Sequence, residues 1–179
     1  MHTLEDEKII QGYEDYIKKH GIDRVVIDAY VESSEILLSG RKDREYGLKV
    51  SERAKELIEK YILDTTEGTV WDLEKYQQDN QKLPYEIIDK YYDVLRYESF
   101  YLLESFIFYM ERNRNWSKRF YKPRRCTLKQ VVDELQDLED RKENRVFYGL
   151  SMPSRTGKST VCLFFLAWIA YSDRIVTTL

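Results

Sequence analysis

Apolar residues recur at intervals of three and four through most of the chain, which predicts a largely helical protein. In residues 4–19, Ile9, Ile10, Tyr13, Tyr16 and Ile17 share one helical face, and Gly21 stands where a left-handed residue closes a helix. Asp23 is placed to cap a second helix that carries Val25, Val26, Ala29, Tyr30, Ile36 and Leu37 and runs to Gly40. Residues 41–47 read as a charged connection. Ser51 reads as the cap of a third helix with Ala54, Leu57, Ile58, Tyr61 and Ile62 inward. Residues 65–68 make a turn, and 70–78 suit a short amphipathic helix. Pro84 fits the first turn of a long helix that continues to about 112. Its broad stripe, from Ile87, Ile88, Tyr91 and Tyr92 to Phe106, Ile107 and Met110, points to burial on more than one side. Thr127 with Gln130 forms a capping box for a further helix. Val131, Val132, Leu135 and Leu138 face inward there, and Asp133, Glu134, Asp137, Glu139 and Asp140 form a solvated face.

The period then changes. A short apolar run at 146–150 and a long one at 161–171 flank Ser151-Met-Pro-Ser-Arg-Thr-Gly-Lys-Ser-Thr160. That order predicts strand, phosphate loop and helix. Successive backbone N–H groups and the positive end of a helix would cradle a nucleotide's phosphates. Gly157 lets the backbone approach them, Lys158 reaches the β- and γ-phosphates, and the Ser159 hydroxyl holds Mg. The pattern departs from G-x-x-x-x-G-K-[ST] at one point: Met152 stands in place of the first glycine. Ser172-Asp173 reads as a turn and 174–179 as a second strand, inside which the chain stops. The predicted fold is therefore an α-helical N-terminal region (1–113), a basic linker (114–126) and the truncated start of an α/β P-loop NTPase domain (127–179). The run 161–171 would be a helix buried beneath a sheet. The simplest expectation is that this is the leading part of a longer protein.

Composition narrows the picture in three places. The net charge of −3 gives no global nucleic-acid signature, so a polyanion contact has to be local. A local candidate exists: residues 112–125 hold Arg112, Arg114, Lys118, Arg119, Lys122, Arg124 and Arg125 with no acid, interleaved with Trp116, Phe120 and Tyr121. Such a stretch suits a nucleic-acid backbone or a nucleotide, and equally a solvated linker. Cys126 and Cys162, in a chain whose charged N-terminus is no targeting peptide, read as reduced thiols in a cytosolic protein. The run 161–171 is shorter than the ~20 residues a bilayer requires.

The loop's own departure carries a resemblance. Pro-x-Arg-x-Gly-Lys-Ser without a leading glycine, preceded by Arg119-Phe-Tyr-Lys-Pro-Arg-Arg125 and Leu128-Lys-Gln-Val-Val-Asp-Glu-Leu-Gln-Asp-Leu-Glu-Asp140, resembles the start of the ATPase domain of bacteriophage terminase large subunits. It covers 120–171 well and the first hundred residues loosely. The resemblance implies an ATP- and Mg-dependent motor that packages double-stranded DNA. Its implied partners are a portal and a small terminase subunit, and it would act as a homo-oligomer in the bacterial host cytoplasm, transiently at the procapsid, with no membrane. Pro153, Ser154, Arg155, Thr156, Gly157, Lys158, Ser159 and Thr160 would line the nucleotide, with Ser159 on Mg. Lys158 and Arg155 would be catalytic, Arg155 through the γ-phosphate. Tyr121, Arg124 and Arg125 lie where that family contacts adenine. The nuclease domain and its carboxylates lie outside these residues. The contrasting reading is a short phage-derived helical binding protein with a vestigial, non-hydrolysing loop. A helicase-like ATPase is disfavoured by the loop arginine and the missing glycine.

Overall fold

The structure, a computed structural model, describes residues 4–39, 43–66, 69–70, 85–140, 149–151 and 156–176. The chain divides into two compact units, Met1–Glu98 and Ser99–Leu179.

The first unit holds α1 (Leu4–His20), α2 (Arg24–Ser39), α3 (Arg44–Thr66) and α4 (Tyr85–Glu98). Helices α2, α3 and α4 pack pairwise around one core. Ile27 and Tyr30 of α2, Ala54 and Ile58 of α3, and Val94 and Leu95 of α4 are at most 2% exposed. Helix α1 buries no residue fully; the Tyr13 ring packs on Tyr30 of α2, and polar contacts add to its hold. Arg53 grips Glu14 through Nε at 2.8 Å and Nη2 at 3.2 Å, and the Tyr30 hydroxyl donates to the same carboxylate at 2.7 Å. Gly21 ends α1 at φ +84°, and Asp23 caps α2 by accepting from the Val26 amide at 2.9 Å, both as the sequence predicts.

Two expectations in this unit are corrected. Helix α3 begins seven residues before Ser51, and its start is capped by Asp43, which accepts from the Tyr46 amide at 3.0 Å. Ser51 is buried mid-helix and donates to Glu98 Oε1 at 2.7 Å, while Lys55 Nζ reaches Oε2 at 2.8 Å. The pair neutralises a carboxylate that is 1% exposed. The helix expected across 84–112 is two helices. Helix α4 ends at Glu98 and α5 (Leu103–Glu111) starts after a turn. Gln136 bridges that break by accepting from the Leu103 amide at 2.7 Å and donating to the Tyr101 carbonyl at 3.1 Å.

The second unit contains α5, two 3₁₀ turns (Trp116–Lys118 and Lys122–Arg124), α6 (Arg125–Glu139) and α7 (Lys158–Val176). Its core gathers Leu103 and Ile107 of α5, Tyr121 from between the two 3₁₀ turns, Leu128 and Val132 of α6, and Val161 and Trp168 of α7. The Trp168 indole donates to the Ser99 carbonyl at 2.8 Å. The capping box at Thr127 does not form: α6 starts at Arg125 without a side-chain cap, and Gln130 donates along the helix to Glu134 at 3.0 Å.

The strand–loop–helix–strand fragment of an α/β domain is not what the chain adopts. Among the described residues every regular element is helical. Residues 146–148 lie outside the description, and Gly149, Leu150 and Ser151 have no regular structure. Residues 174–176, expected in a second strand, continue α7. The reason is local. The Ser172 hydroxyl is satisfied inside the helix, sharing its one proton between the Trp168 carbonyl at 2.9 Å and that of Ile169 at 3.1 Å, so it is not spent on a turn. Helix α7 is covered by helices, not by a sheet, and only on one side: Leu163 and Leu166 are 66% and 61% exposed.

Candidate phosphate-binding site

The stretch singled out by sequence meets the structure at the N-terminus of α7. Gly157 sits just ahead of it at φ +100°, a conformation that residues with a Cβ rarely adopt. Lys158, Ser159 and Thr160 are the first three helical residues. The Val161 amide donates to the Gly157 carbonyl at 3.0 Å and closes the first turn. The amides of 158–160 precede that bond and have no carbonyl four residues back within the helix, the arrangement that makes a helix start attractive to anions. Ser159 is exposed, and Lys158, Thr156 and Thr160 are half-buried. Pro153, Ser154 and Arg155 lie outside the described residues, so only the glycine half of the loop is placed.

A side chain the motif does not account for rests on this glycine. The Phe120 ring occupies the position that a Cβ on Gly157 would take. It also stacks on Phe164 of α7, ring centroids 6.4 Å apart. Phe120 is delivered there by the basic stretch, which is tightly folded. Glu111, 2% exposed at the end of α5, accepts from the Phe120 amide at 2.7 Å and the Tyr121 amide at 2.9 Å. Arg114 reaches the same carboxylate at 3.4 Å. Arg119 is buried and donates to the carbonyls of Arg114 at 3.2 Å and Arg112 at 3.0 Å, with its guanidinium over the Trp116 ring.

Of the three residues proposed to meet adenine, two are committed elsewhere. Tyr121 is fully buried and donates to Glu104 Oε1 at 2.7 Å. Burial and that bond hold its hydroxyl well above the ordinary tyrosine range. Arg125 grips Glu104 through Nε at 2.7 Å and Nη2 at 3.1 Å. Burial pushes the Glu104 carboxyl up, but the bonds from Arg125 and Tyr121 outweigh it and leave the group below its ordinary value. Arg124 is exposed, lies over the Phe120 ring at 5.3 Å and donates to the Phe120 carbonyl at 3.0 Å. The exposed cations of the stretch are thus Arg114, Lys118 and Arg124.

Sequence reasoning missed Glu104 and Glu111, the acids that organise an apparently acid-free segment. A signal was present: they are the two acids of α5, seven residues apart and so on one face of an otherwise apolar helix.

Compared with protein families, curated proteins and solved structures, the chain matches none of them. No helix among the described residues is long and apolar enough to cross a membrane. Cys126 and Cys162 are both exposed free thiols.

Proposed function

We propose that the chain binds ATP with Mg through the loop ahead of α7, as the leading segment of a terminase-like ATPase that packages double-stranded DNA. One observation carries the reading: a glycine at φ +100° directly precedes a helix whose first residues are Lys, Ser and Thr. The first-turn amides and Lys158 Nζ would neutralise the phosphates, the Ser159 hydroxyl would ligate the metal, and Arg155 would face the γ-phosphate. When bound, Mg would neutralise phosphate charge there. Turnover, portal and small-subunit binding and homo-oligomer assembly belong to the complete protein under this reading. Lys158→Ala should weaken binding of a fluorescent ATP analogue with Mg at least tenfold, roughly the loss of one charge-assisted contact. Its circular dichroism should match the parent's. Equal affinity for both proteins would overturn the site.

A second reading, a helical binding module with a vestigial loop, draws on the first unit. There α1 and α2 leave a groove lined by Ile9, Ile10, Tyr13, Ile36 and Leu37, with Ile9 and Ile36 49% and 54% exposed. Absence of nucleotide binding by the parent chain would favour it.

A further inference from the structure

We propose that Glu111 and Phe120 are positioning residues for the phosphate loop, a role that rests on the nucleotide reading for its use but not for its test. The geometry forms one chain of contacts. Glu111 is anchored on α5 and is 2% exposed. Its two oxygens take the consecutive amides of Phe120 and Tyr121 at 2.7 and 2.9 Å, which fixes the backbone at that point. The Tyr121 side chain is locked below by its 2.7 Å bond to Glu104. With both neighbours fixed, the Phe120 ring is held against Gly157 and Phe164.

A phosphate loop works by presenting amides in a fixed curve, and a misplacement of about 1 Å in such a site can cost on the order of a hundredfold. The Phe120 ring supplies a wall for that curve at its left-handed residue. The bulk of the ring is the operative feature: it touches the loop's backbone, not a ligand. Phe120 is half-buried and packs against the edge of the core that holds Tyr121, Leu128 and Val161, and the same ring meets Gly157. Glu111 does not serve as a surface ion pair, since its main partners are backbone amides. A buried carboxylate spent on two successive N–H groups is a device for holding a loop in one conformation.

The test is hydrogen exchange at the Val161 amide, whose bond to the Gly157 carbonyl closes the first turn, in the nucleotide-free 179-residue chain, paired with titration of the fluorescent ATP analogue with Mg. Phe120→Ala removes a half-buried ring and is expected to leave the helical circular dichroism intact. It should speed exchange at the Val161 amide about tenfold and raise the analogue's Kd by a similar factor, with Phe120→Leu restoring most of both. Glu111→Gln, which keeps one carbonyl acceptor, should give an intermediate effect on the same amide. Unchanged exchange at the Val161 amide in Phe120→Ala overturns the positioning role whether or not nucleotide binds. Faster exchange in a chain that binds no nucleotide upholds the role while removing the proposed ligand.

Discussion

At the scale of single residues, two glycines with positive φ separate conformation from contact. Gly21 stands at φ +84° with nothing within 4 Å of a would-be Cβ, and Gly157 at φ +100° with the Phe120 ring in the way. Gly21→Ala should cost only the left-handed penalty, about 1–2 kcal/mol. Gly157→Ala should cost about 1–3 kcal/mol more from overpacking, and that excess should vanish in a Phe120→Ala background. Thermal melts of the four proteins measure it; equal penalties for Gly157→Ala in both backgrounds would remove the contact from the account. Glu104 makes a different prediction. Its folded-state carboxyl lies below its ordinary value of 4.5, so its contribution is present above that value and is lost as pH falls through the lowered one. Tyr121→Phe removes one of the bonds responsible. It should lower stability by about 1 kcal/mol near neutrality and flatten the acid limb below pH ~4.5, read by urea melts as a function of pH.

Among the elements, the sequence was legible where a cap or a period acts locally, and misleading where a distant partner decides. Gly21 and Asp23 end α1 and start α2 as read, because both act within a few residues. Ser51 looked like a cap, but its partner, Glu98, lies 47 positions away. The break between α4 and α5 was invisible because the groups that satisfy it come from Gln136, on another helix. Residues 172–173 looked like a turn, but the Ser172 hydroxyl bonds back into its own helix. The glycine, lysine and serine of the candidate site were readable from spacing alone, whereas the Phe120 wall was not, since it depends on a carboxylate nine residues earlier. Helix α3 offers a test at this level. A Cβ on Gly47 would meet Leu38 Cδ2 at 2.7 Å and Leu37 Cβ at 3.2 Å, where α2 and α3 cross. Gly47→Ala gains up to about 1 kcal/mol of helix propensity. The contact with Leu37, whose Cβ cannot swing away, should outweigh it and lower the melting temperature by several degrees. A raised melting temperature would mean that the helices separate freely.

Across the whole molecule the small net charge hides a division. Residues 1–98 carry 23 acidic and 15 basic residues, net −8, and residues 99–179 carry 14 basic and 9 acidic, net +5. A balanced total therefore says little about polyanion binding, which depends on local potential. In the second unit the exposed cations Arg114, Lys118 and Arg124 belong to the segment that also carries Phe120 to Gly157. Part of that segment's charge is internal: Arg119 and Arg125 serve carbonyls and Glu104, and they hold the fold whatever binds outside. Within this segment the DNA reading then rests first on the three exposed cations, which makes it quantitative. Each phosphate neutralised contributes about 0.9 to the slope of log affinity against log salt on duplex DNA. Replacing Arg114, Lys118 and Arg124 together with Gln should reduce that slope by up to roughly 3 and weaken binding of a short duplex at low salt. Circular dichroism should not change, because these side chains are exposed and the buried carboxylates keep their backbone partners. An unaltered slope would mean that these cations do not meet phosphate, and that the stretch serves the phosphate loop through its aromatic residue rather than through its charge.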